Sequence, residues 1–287
     1  MSPGTSYRGR IAPSPTGYLH LGHARTFWTA YQRALQHKGT LIFRNEDLDP
    51  QRSKAEYAQA MVDDLRWLGI EWQEGPDIGG PHAPYEQSRR REFYLRDWRR
   101  LLEAGVVYPC TCSRKDLATS AQAPQEGDEE PVYPGTCRRN SGTKVQASAP
   151  AGVNWRFRVP DGESISFEDR NFGQKSYVAG RDFGDFVVWR RDDVPAYQLA
   201  VVTDDCDMQV NEVVRGEDLL VSTARQILIL RALGHSIPAY FHCELVRDAA
   251  GKRLAKRADA VSLRALRQKG ATPDQVPEMW STPLPSL

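Results

Sequence analysis

A chain of 287 residues with 40% hydrophobic and 26% charged residues can bury one large core or two modest ones, which argues against a disordered chain and for a main domain carrying an insertion. Its 38 Lys and Arg nearly balance 37 Asp and Glu, a net charge of +1, so any nucleic-acid surface must come from local clustering rather than a basic surplus. No apolar run approaches the roughly 20 residues that span a bilayer, and residues 1–10 lack a hydrophobic signal core, so a cytoplasmic protein is expected.

In chain order, residues 7–11 read as a short strand, followed by the loop Ala12-Pro13-Ser14-Pro15-Thr16-Gly17. Ala24, Phe27, Trp28, Tyr31, Ala34 and Leu35 then recur at helical spacing until Gly39, and residues 40–44 read as a second strand. A further helix opens at Ser53 with Glu56 three residues on, the pattern of a capping box, and is expected to bury Ala58, Met61, Val62, Leu65 and Leu68 before Gly69. Another spans residues 88–103 and ends at Gly105. After Val106 the segments shorten and alternate, as in residues 155–159 and 185–189, which suggests a mostly β insertion in which residues 122–130 form a solvated loop. Residues 197–203 read as a strand. The segment 213–218 and a helix over 222–233, stopped by Gly234, restore the α/β character. The expected fold is α/β: a Rossmann-like, doubly wound parallel sheet in two halves (1–105 and 193–246), an insertion (106–192) and a short helical remnant (247–287). Such sheets place ligands beyond the carboxyl ends of their strands, where the polar motifs fall.

His20-Leu21-Gly22-His23 lies between the Pro/Gly-rich loop and the first helix, where unpaired helix N–H groups attract phosphate. Imidazoles there can donate to oxygens that gain charge as the α-phosphate of ATP is attacked, and Gly22 allows close approach to the backbone. A pair of capping histidines would look the same. The wider context is more specific. Arg10-Ile11-Ala12-Pro13-Ser14-Pro15-Thr16-Gly17, then Leu19 to His23 and Arg25, resembles the HIGH motif of class I aminoacyl-tRNA synthetases in its glutamyl form.

That resemblance implies that Ala12, Pro13, Ser14, His20, Gly22 and His23 hold ATP, with Mg²⁺ as its companion, that His20 and His23 are catalytic, and that Arg10 and Ser14 contact the amino acid. Its partner motif is a lysine loop, and Gly251-Lys252-Arg253-Leu254-Ala255-Lys256-Arg257 is an imperfect KMSKS. Arg253 stands where the first Lys is usual and Ala255 replaces the Ser. Lys256 keeps the position that neutralises phosphate charge in the transition state, and it joins the catalytic and ATP-binding sets.

A glutamate substrate carries two carboxylates and an ammonium, so its pocket needs two cations and an acid. Planar guanidinium forks suit carboxylates. Arg10 ends the first strand, Glu46 follows the second in Arg44-Asn45-Glu46-Asp47-Leu48-Asp49, and Arg215 lies in Val213-Val214-Arg215-Gly216-Glu217-Asp218. The acidic motif, Tyr197-Gln198-Leu199-Ala200 with Asp204-Asp205, and the stretch 214–233 all resemble segments of the glutamyl enzymes. Glu46, Tyr197 and Arg215 are thereby implied as glutamate contacts, with the pairing of arginines and carboxylates open. Val201 stands where these enzymes often have Asn, which implies a looser side-chain pocket.

Three of the five cysteines crowd between Cys110 and Cys137, which in a reducing compartment favours a metal site over disulfides. Three thiolates suit zinc, and composition alone would add His or water as a fourth ligand. The zinc-bearing insertion of the glutamyl enzymes can run Cys-x-Cys then Tyr-x-x-x-Cys. That resemblance implies Cys110, Cys112, Tyr133 and Cys137 around one structural Zn²⁺ per chain, here with a longer gap between the pairs. Cys206 and Cys243 read as ordinary core residues.

Two basic clusters can track RNA phosphates: Arg89, Arg90, Arg91, Arg96, Arg99 and Arg100 on one helix, and Lys252, Arg253, Lys256, Arg257, Arg264, Arg267 and Lys269 near the end. After Lys269 this sequence offers only residues 270–287, without room for the helical anticodon-binding domain of a standard family member. The expected relative is therefore the paralogous branch that attaches glutamate to the queuosine base in the anticodon loop of tRNA(Asp). Carboxylate attack on ATP would give glutamyl adenylate and pyrophosphate, and acyl transfer to a cyclopentene hydroxyl would follow. Two alternatives stand beside it: a minimal enzyme charging the 3′ end of tRNA(Glu), and a catalytically silent RNA-binding paralogue. A monomer is expected.

Overall fold

The computed structural model describes residues 6–112, 132–140, 147–246 and 262–281. In chain order the first half contains β1 (Arg8–Ile11), α1 (Leu21–Gln36), β2 (Thr40–Phe43), α2 (Ala55–Trp67), α3 (Arg91–Glu103), β3 (Val107–Cys110), α4 (Thr136–Asn140), β4 (Asn154–Phe157), β5 (Ser164–Asp169) and β6 (Gly173–Val178). The second half adds β7 (Phe186–Trp189), α5 (Tyr197–Asp207), β8 (Glu212–Gly216), α6 (Leu220–Leu233), β9 (Ala239–Cys243), α7 (Leu263–Gln268) and α8 (Val276–Ser281). Two compact units emerge. The first comprises Met1–Arg89, Gln209–Glu217 and Pro238–Leu287, and the second Arg90–Met208 and Asp218–Ile237.

The first unit contains the expected crossover. β1 and β2 run parallel in register, Arg8 opposite Thr40 and Ile11 opposite Phe43. Glycine is required at position 39, because a Cβ there would fall 2.5 Å from the Tyr7 carbonyl oxygen. β8 and β9 are also parallel, Glu212 opposite Ala239 and Gly216 opposite Cys243. Reciprocal bonds seat β8 beside β1: Asn211 N–H donates to the Arg8 carbonyl at 3.0 Å, and Arg8 N–H donates to Asn211 Oδ1 at 2.9 Å. The spatial order is thus β2, β1, β8, β9. The chain leaves β1 in one direction towards β2, while β8 lies on the other side, which makes the β1/β8 boundary a topological switch point.

Ile11, Leu21, Phe27, Leu41, Phe43, Met61, Leu65, Trp72, Val214, Cys243, Leu263 and Val276 belong to one buried cluster that fixes this sheet to α1, α2, α7 and α8. Each fully buried large side chain contributes about 1.5–3 kcal/mol. α2 starts later than expected. Its cap is Lys54, without a side-chain capping bond, and the capping box at Ser53 does not form. Ser53 N–H is bound to the Asp49 carbonyl at 2.9 Å and Lys54 N–H to the Pro15 carbonyl at 3.0 Å, so tertiary pairing holds both residues in the preceding loop. The buried face is also rotated towards Ala60, Met61, Asp64 and Leu65, leaving Ala58 and Val62 more exposed than expected.

In the second unit β3, β4 and β7 form an antiparallel sheet in that order, and β5 pairs with β6 in a hairpin from Ser164–Val178 to Asp169–Gly173. Trp98 of α3 meets Trp155 edge-on at 5.0 Å and lies 6.5 Å from Trp189, closing that sheet onto the helix. The helix expected over 88–103 divides: residues 87–89 form a 3₁₀ turn and α3 begins at Arg91. Residues 197–203 correct the strand expectation, because they form the first turns of α5. Leu199, Ala200, Val201, Val202 and Thr203 are all buried, and a helix covered on every side has no polar face to print a period on the sequence. The proposed loop at 122–130 lies outside the described residues. Among the described residues no helix is long and apolar enough to cross a membrane.

Candidate functional site

The carboxyl ends of β1, β2 and β8 gather the polar motifs of the first unit. Backbone bonds stitch the loops that follow β1 and β2 together: Arg44 N–H to the Ile11 carbonyl (2.9 Å) and Glu46 N–H to the Pro13 carbonyl (3.0 Å). Ala12 to Pro15 are thereby fixed against the acidic motif. Pro13 is buried and Ser14 exposed.

His20 caps α1 with its side chain. Gly22 N–H donates to His20 Nδ1 at 3.1 Å, and His20 N–H donates to His23 Nδ1 at 3.4 Å, a capping box built from two imidazoles. Their rings stack with centroids 3.8 Å apart. A neutral imidazole that accepts at Nδ1 carries its proton on Nε2. The cap therefore selects the tautomer in which each ring has an Nε2–H donor, the group needed to hydrogen-bond a phosphate oxygen. Gly22 has a role that spacing did not indicate: a Cβ there would meet His20 Cε1 at 3.0 Å and Nδ1 at 3.1 Å, so the missing side chain makes room for the imidazole cap. The chain re-enters the described region at Ser262, bridged antiparallel to His20, with Leu263 N–H donating to the Leu19 carbonyl at 2.8 Å. Lys256 and the rest of the lysine motif, with Lys252, Arg253 and Arg257, lie outside the described residues.

Arg10 and Arg215 are nearly buried, 5% and 4% exposed. Arg10 Nη1 donates to the Val214 carbonyl at 2.8 Å, which brings the two guanidiniums onto neighbouring strands at the switch point. Arg215 Nε donates to His242 Nε2 at 3.2 Å. His242 is fully buried and sits opposite Arg215 in the β8/β9 register. Sequence reasoning missed His242; it faces Arg215 only because β9 adds beside β8, and a lone histidine in an apolar strand carries no signal. Glu46 accepts from Arg44 Nη2 at 3.0 Å, and that arginine is completely buried. Arg44 therefore anchors the acid that the motif singled out. Arg10, Glu46, Arg215, His20 and His23 thus share one unit. Tyr197 belongs to the other, at the first turn of α5 and 38% exposed, and Val201 is buried in the same helix.

The second unit holds the cysteine cluster. The sulfurs of Cys110, Cys112 and Cys137 all lie within 4.8 Å of one another and can hold a metal ion. Cys110 ends β3, Cys112 follows it, and Cys137 lies in α4. The Tyr133 hydroxyl stands 3.5 Å from both Cys110 Sγ and Cys112 Sγ and accepts from Cys137 N–H at 2.8 Å. Cys112 Sγ and Cys137 Sγ are 3.5 Å apart. Burial pushes the Cys112 thiol up to about 11. Burial would raise Cys137 too, but hydrogen bonds from the Tyr133 hydroxyl, the Thr111 backbone and Cys112 bring it down to about 6. Elsewhere, Cys243 is buried in the first core, and burial with the neighbouring Asp205 carboxylate pushes the Cys206 thiol up to about 12.

Of the six arginines on and just before α3, Arg90 is buried and Arg89, Arg91, Arg96, Arg99 and Arg100 are exposed, most of them beside an acid. Arg90 Nε donates to buried Asp204 at 2.6 Å, and Tyr94 Oη donates to the same carboxylate at 3.1 Å. Arg96 pairs with Asp97 and Asp207, Arg100 with Asp97 and the Leu233 carbonyl, and Arg91 with Asp193. Asp193, Asp204 and Asp207 come from distant segments and Asp97 from α3 itself, so several of these arginines are tied into an ion-pair network while five of the six remain exposed. Asp204 and Asp205, in the stretch that resembles a segment of the glutamyl enzymes, are buried in α5, with Asp204 committed to Arg90.

Residues 6–279 match the family model for class I tRNA synthetases (E and Q), catalytic domain. The chain belongs to this family of aminoacyl-tRNA ligases. Over 265 residues it is 49% identical to the Glutamyl-Q tRNA(Asp) synthetase of Nitratidesulfovibrio vulgaris, covering 92% of this chain and 82% of that protein. It is 46% identical over 265 residues to Glutamate–tRNA ligase 2 of Acidithiobacillus ferrooxidans, covering 92% of this chain and 55% of that one. The solved glutamate-tRNA synthetase from Elizabethkingia anophelis aligns with a TM-score of 0.76 at 30% identity, over 93% of this chain and 54% of its own. The chain therefore spans about half the length of the latter two proteins.

Proposed function

We propose that this chain activates L-glutamate with ATP to glutamyl adenylate and transfers the glutamyl group to the queuosine base in the anticodon loop of tRNA(Asp). One observation carries the activation step: two buried arginines, Arg10 and Arg215, lie on neighbouring strands at a switch point whose adjoining loop presents Glu46 and whose adjoining helix is capped by His20 and His23. Two cations and one acid match the charges of glutamate, and the helix start with its Nε2–H donors matches a phosphate. In this reading Arg10, Ser14, Glu46 and Arg215 bind the amino acid, and Tyr197 is carried as a contact on its motif. Ala12, Pro13, Ser14, Gly22 and the histidines take ATP. His20 and His23 stabilise charge on the α-phosphate as the glutamate carboxylate attacks, and Lys256 is assigned the departing phosphates. Mg²⁺ accompanies ATP and offsets its charge. The enzyme would work in the cytoplasm as a monomer.

We assign zinc to Cys110, Cys112, Tyr133 and Cys137. With bonds of roughly 2.3 Å to sulfur and 2.0 Å to oxygen, a tetrahedral ion sets sulfur–oxygen edges near 3.5 Å and sulfur–sulfur edges near 3.8 Å. The sulfur–hydroxyl separations of 3.5 Å and the Cys112–Cys137 separation of 3.5 Å fit that frame. Four protein ligands leave no open position, so the ion's task is structural.

The acceptor rests on the relatives. The N. vulgaris protein is covered over 82% of its length, whereas the A. ferrooxidans ligase is covered over 55%. The 46% identity to the latter supports a second reading, charging of the 3′ end of tRNA(Glu). One experiment separates them: labelled glutamate and ATP are incubated with tRNA that has or lacks queuosine, and the label is located. Label in the anticodon loop that depends on queuosine is expected. Transfer without queuosine overturns the acceptor, label at the 3′ end supports the second reading, and failure of glutamate-dependent pyrophosphate exchange would point to a silent RNA-binding protein.

A further inference from the structure

Arg156 lies in the middle of β4, opposite Tyr108 of β3, and is only 3% exposed. Its Nε donates to Cys110 Sγ at 3.3 Å, its Nη1 donates to the Asp185 backbone carbonyl at 2.7 Å, and its guanidinium lies over the Tyr133 ring, 4.0 Å from the centroid. Among the described residues no carboxylate comes within ion-pair distance of this guanidinium. A cation taken out of water without an anion is costly, and buried arginines are normally paired. Two more deeply buried arginines obey the rule: Arg90 has Asp204 and Arg44 has Glu46.

The charge missing from Arg156 is supplied if the neighbouring sulfur is a thiolate. Three thiolates and a phenolate around a dication carry a net charge of −2, and Cys110, fully buried, contributes the most enclosed of them. Arg156 reaches two of the four proposed ligands at once, through its hydrogen bond to Cys110 and its face on Tyr133. We propose that Arg156 is the positioning residue of the metal centre: its buried guanidinium compensates the excess negative charge of the ligand set and fixes Cys110 and Tyr133 for coordination. This inference rests on the zinc reading above. Outer residues that hydrogen-bond metal ligands typically govern 10- to 100-fold in affinity.

The test uses the full chain and zinc itself. Zn²⁺ affinity is measured by competition with a chromophoric chelator for wild type, Arg156→Met, Arg156→Lys and, as a control, Arg158→Met, whose guanidinium lies over Tyr108 at 4.9 Å rather than over a ligand. The Co²⁺-substituted proteins are compared by their thiolate-to-metal charge-transfer band. Arg156→Met should weaken zinc roughly 10- to 100-fold and move the band to lower energy, because a sulfur without its N–H donor holds its electrons less tightly. Arg156→Lys should recover part of the affinity through its charge, and Arg158→Met should leave both readouts at wild type. Unchanged affinity and an unshifted band in Arg156→Met overturn the inference while the zinc reading stands. A wild-type chain that binds no zinc overturns both. If both Arg156 variants fail to fold in excess zinc while Arg158→Met folds, the arginine is a scaffold residue and the inference falls.

Discussion

Replacing Gly22 with alanine adds one methyl group where the His20 ring folds back over α1. The new Cβ would lie 3.0 Å from His20 Cε1 and 3.1 Å from Nδ1, against an ordinary contact of about 3.5–4.0 Å. The ring must retreat by roughly 0.5 Å, or the 3.1 Å bond from Gly22 N–H must break. Loss of an N-cap bond costs about 1 kcal/mol, and alanine in place of glycine within a helix returns about 0.5–1 kcal/mol. Stability should therefore barely move, with a melting shift below about 3 °C. Catalysis has no such compensation, because a donor displaced by a fraction of an ångström no longer meets the charge developing on phosphate. Glutamate-dependent pyrophosphate exchange should fall roughly 10- to 100-fold. Exchange at the wild-type rate in a protein that melts normally would refute the role given to the imidazole cap.

Other perturbations address separate parts of the molecule. Burial pushes the Asp64 carboxyl up to about 6, against the pull of Arg267 and Arg264, and among the described residues its Oδ2 has no hydrogen-bond partner. The fold favours the protonated form, so this group's contribution is complete below the unfolded value near 3.9 and is lost as pH rises through about 6. Asp64→Asn should accordingly stabilise the protein by about 2 kcal/mol in denaturant titrations at pH 7.5, with the gain fading towards pH 4; a gain independent of pH would contradict the cause. His242→Phe removes the acceptor of Arg215 Nε and should raise the KM for glutamate about tenfold with a smaller change in kcat, whereas His242→Gln restores much of the loss; equal KM values in all three proteins would dismiss His242 as an organiser of the substrate arginine. Stripping the metal with a chelator, or Cys137→Ser, should abolish the one zinc per chain and lower the melting temperature, because ligand binding and folding are coupled; indifference of the melt to zinc would exclude a structural ion.

Several features were legible in the sequence because their signal is local or chemical. The crossover from β1 through α1 to β2 follows from helical periodicity bounded by Gly39, whose neighbour Tyr7 leaves no space for a side chain. The cysteines were legible because thiolates are recognisable by type, and α4 brings Cys137 back to the sulfurs at the end of β3. Tertiary structure alone decided the rest. Burial on all sides erased the period of α5, and long-range ion pairs with Asp193, Asp204 and Asp207 hold arginines at and before α3 that the sequence offered as a phosphate track. The partners of the key charges were equally hidden: His242 meets Arg215 across a strand pairing, and Arg156 meets Cys110 across 46 positions of chain. Residue type announces what a group can do. Which groups it does it with depends on contacts between segments far apart in the chain, and no short-range pattern encodes those.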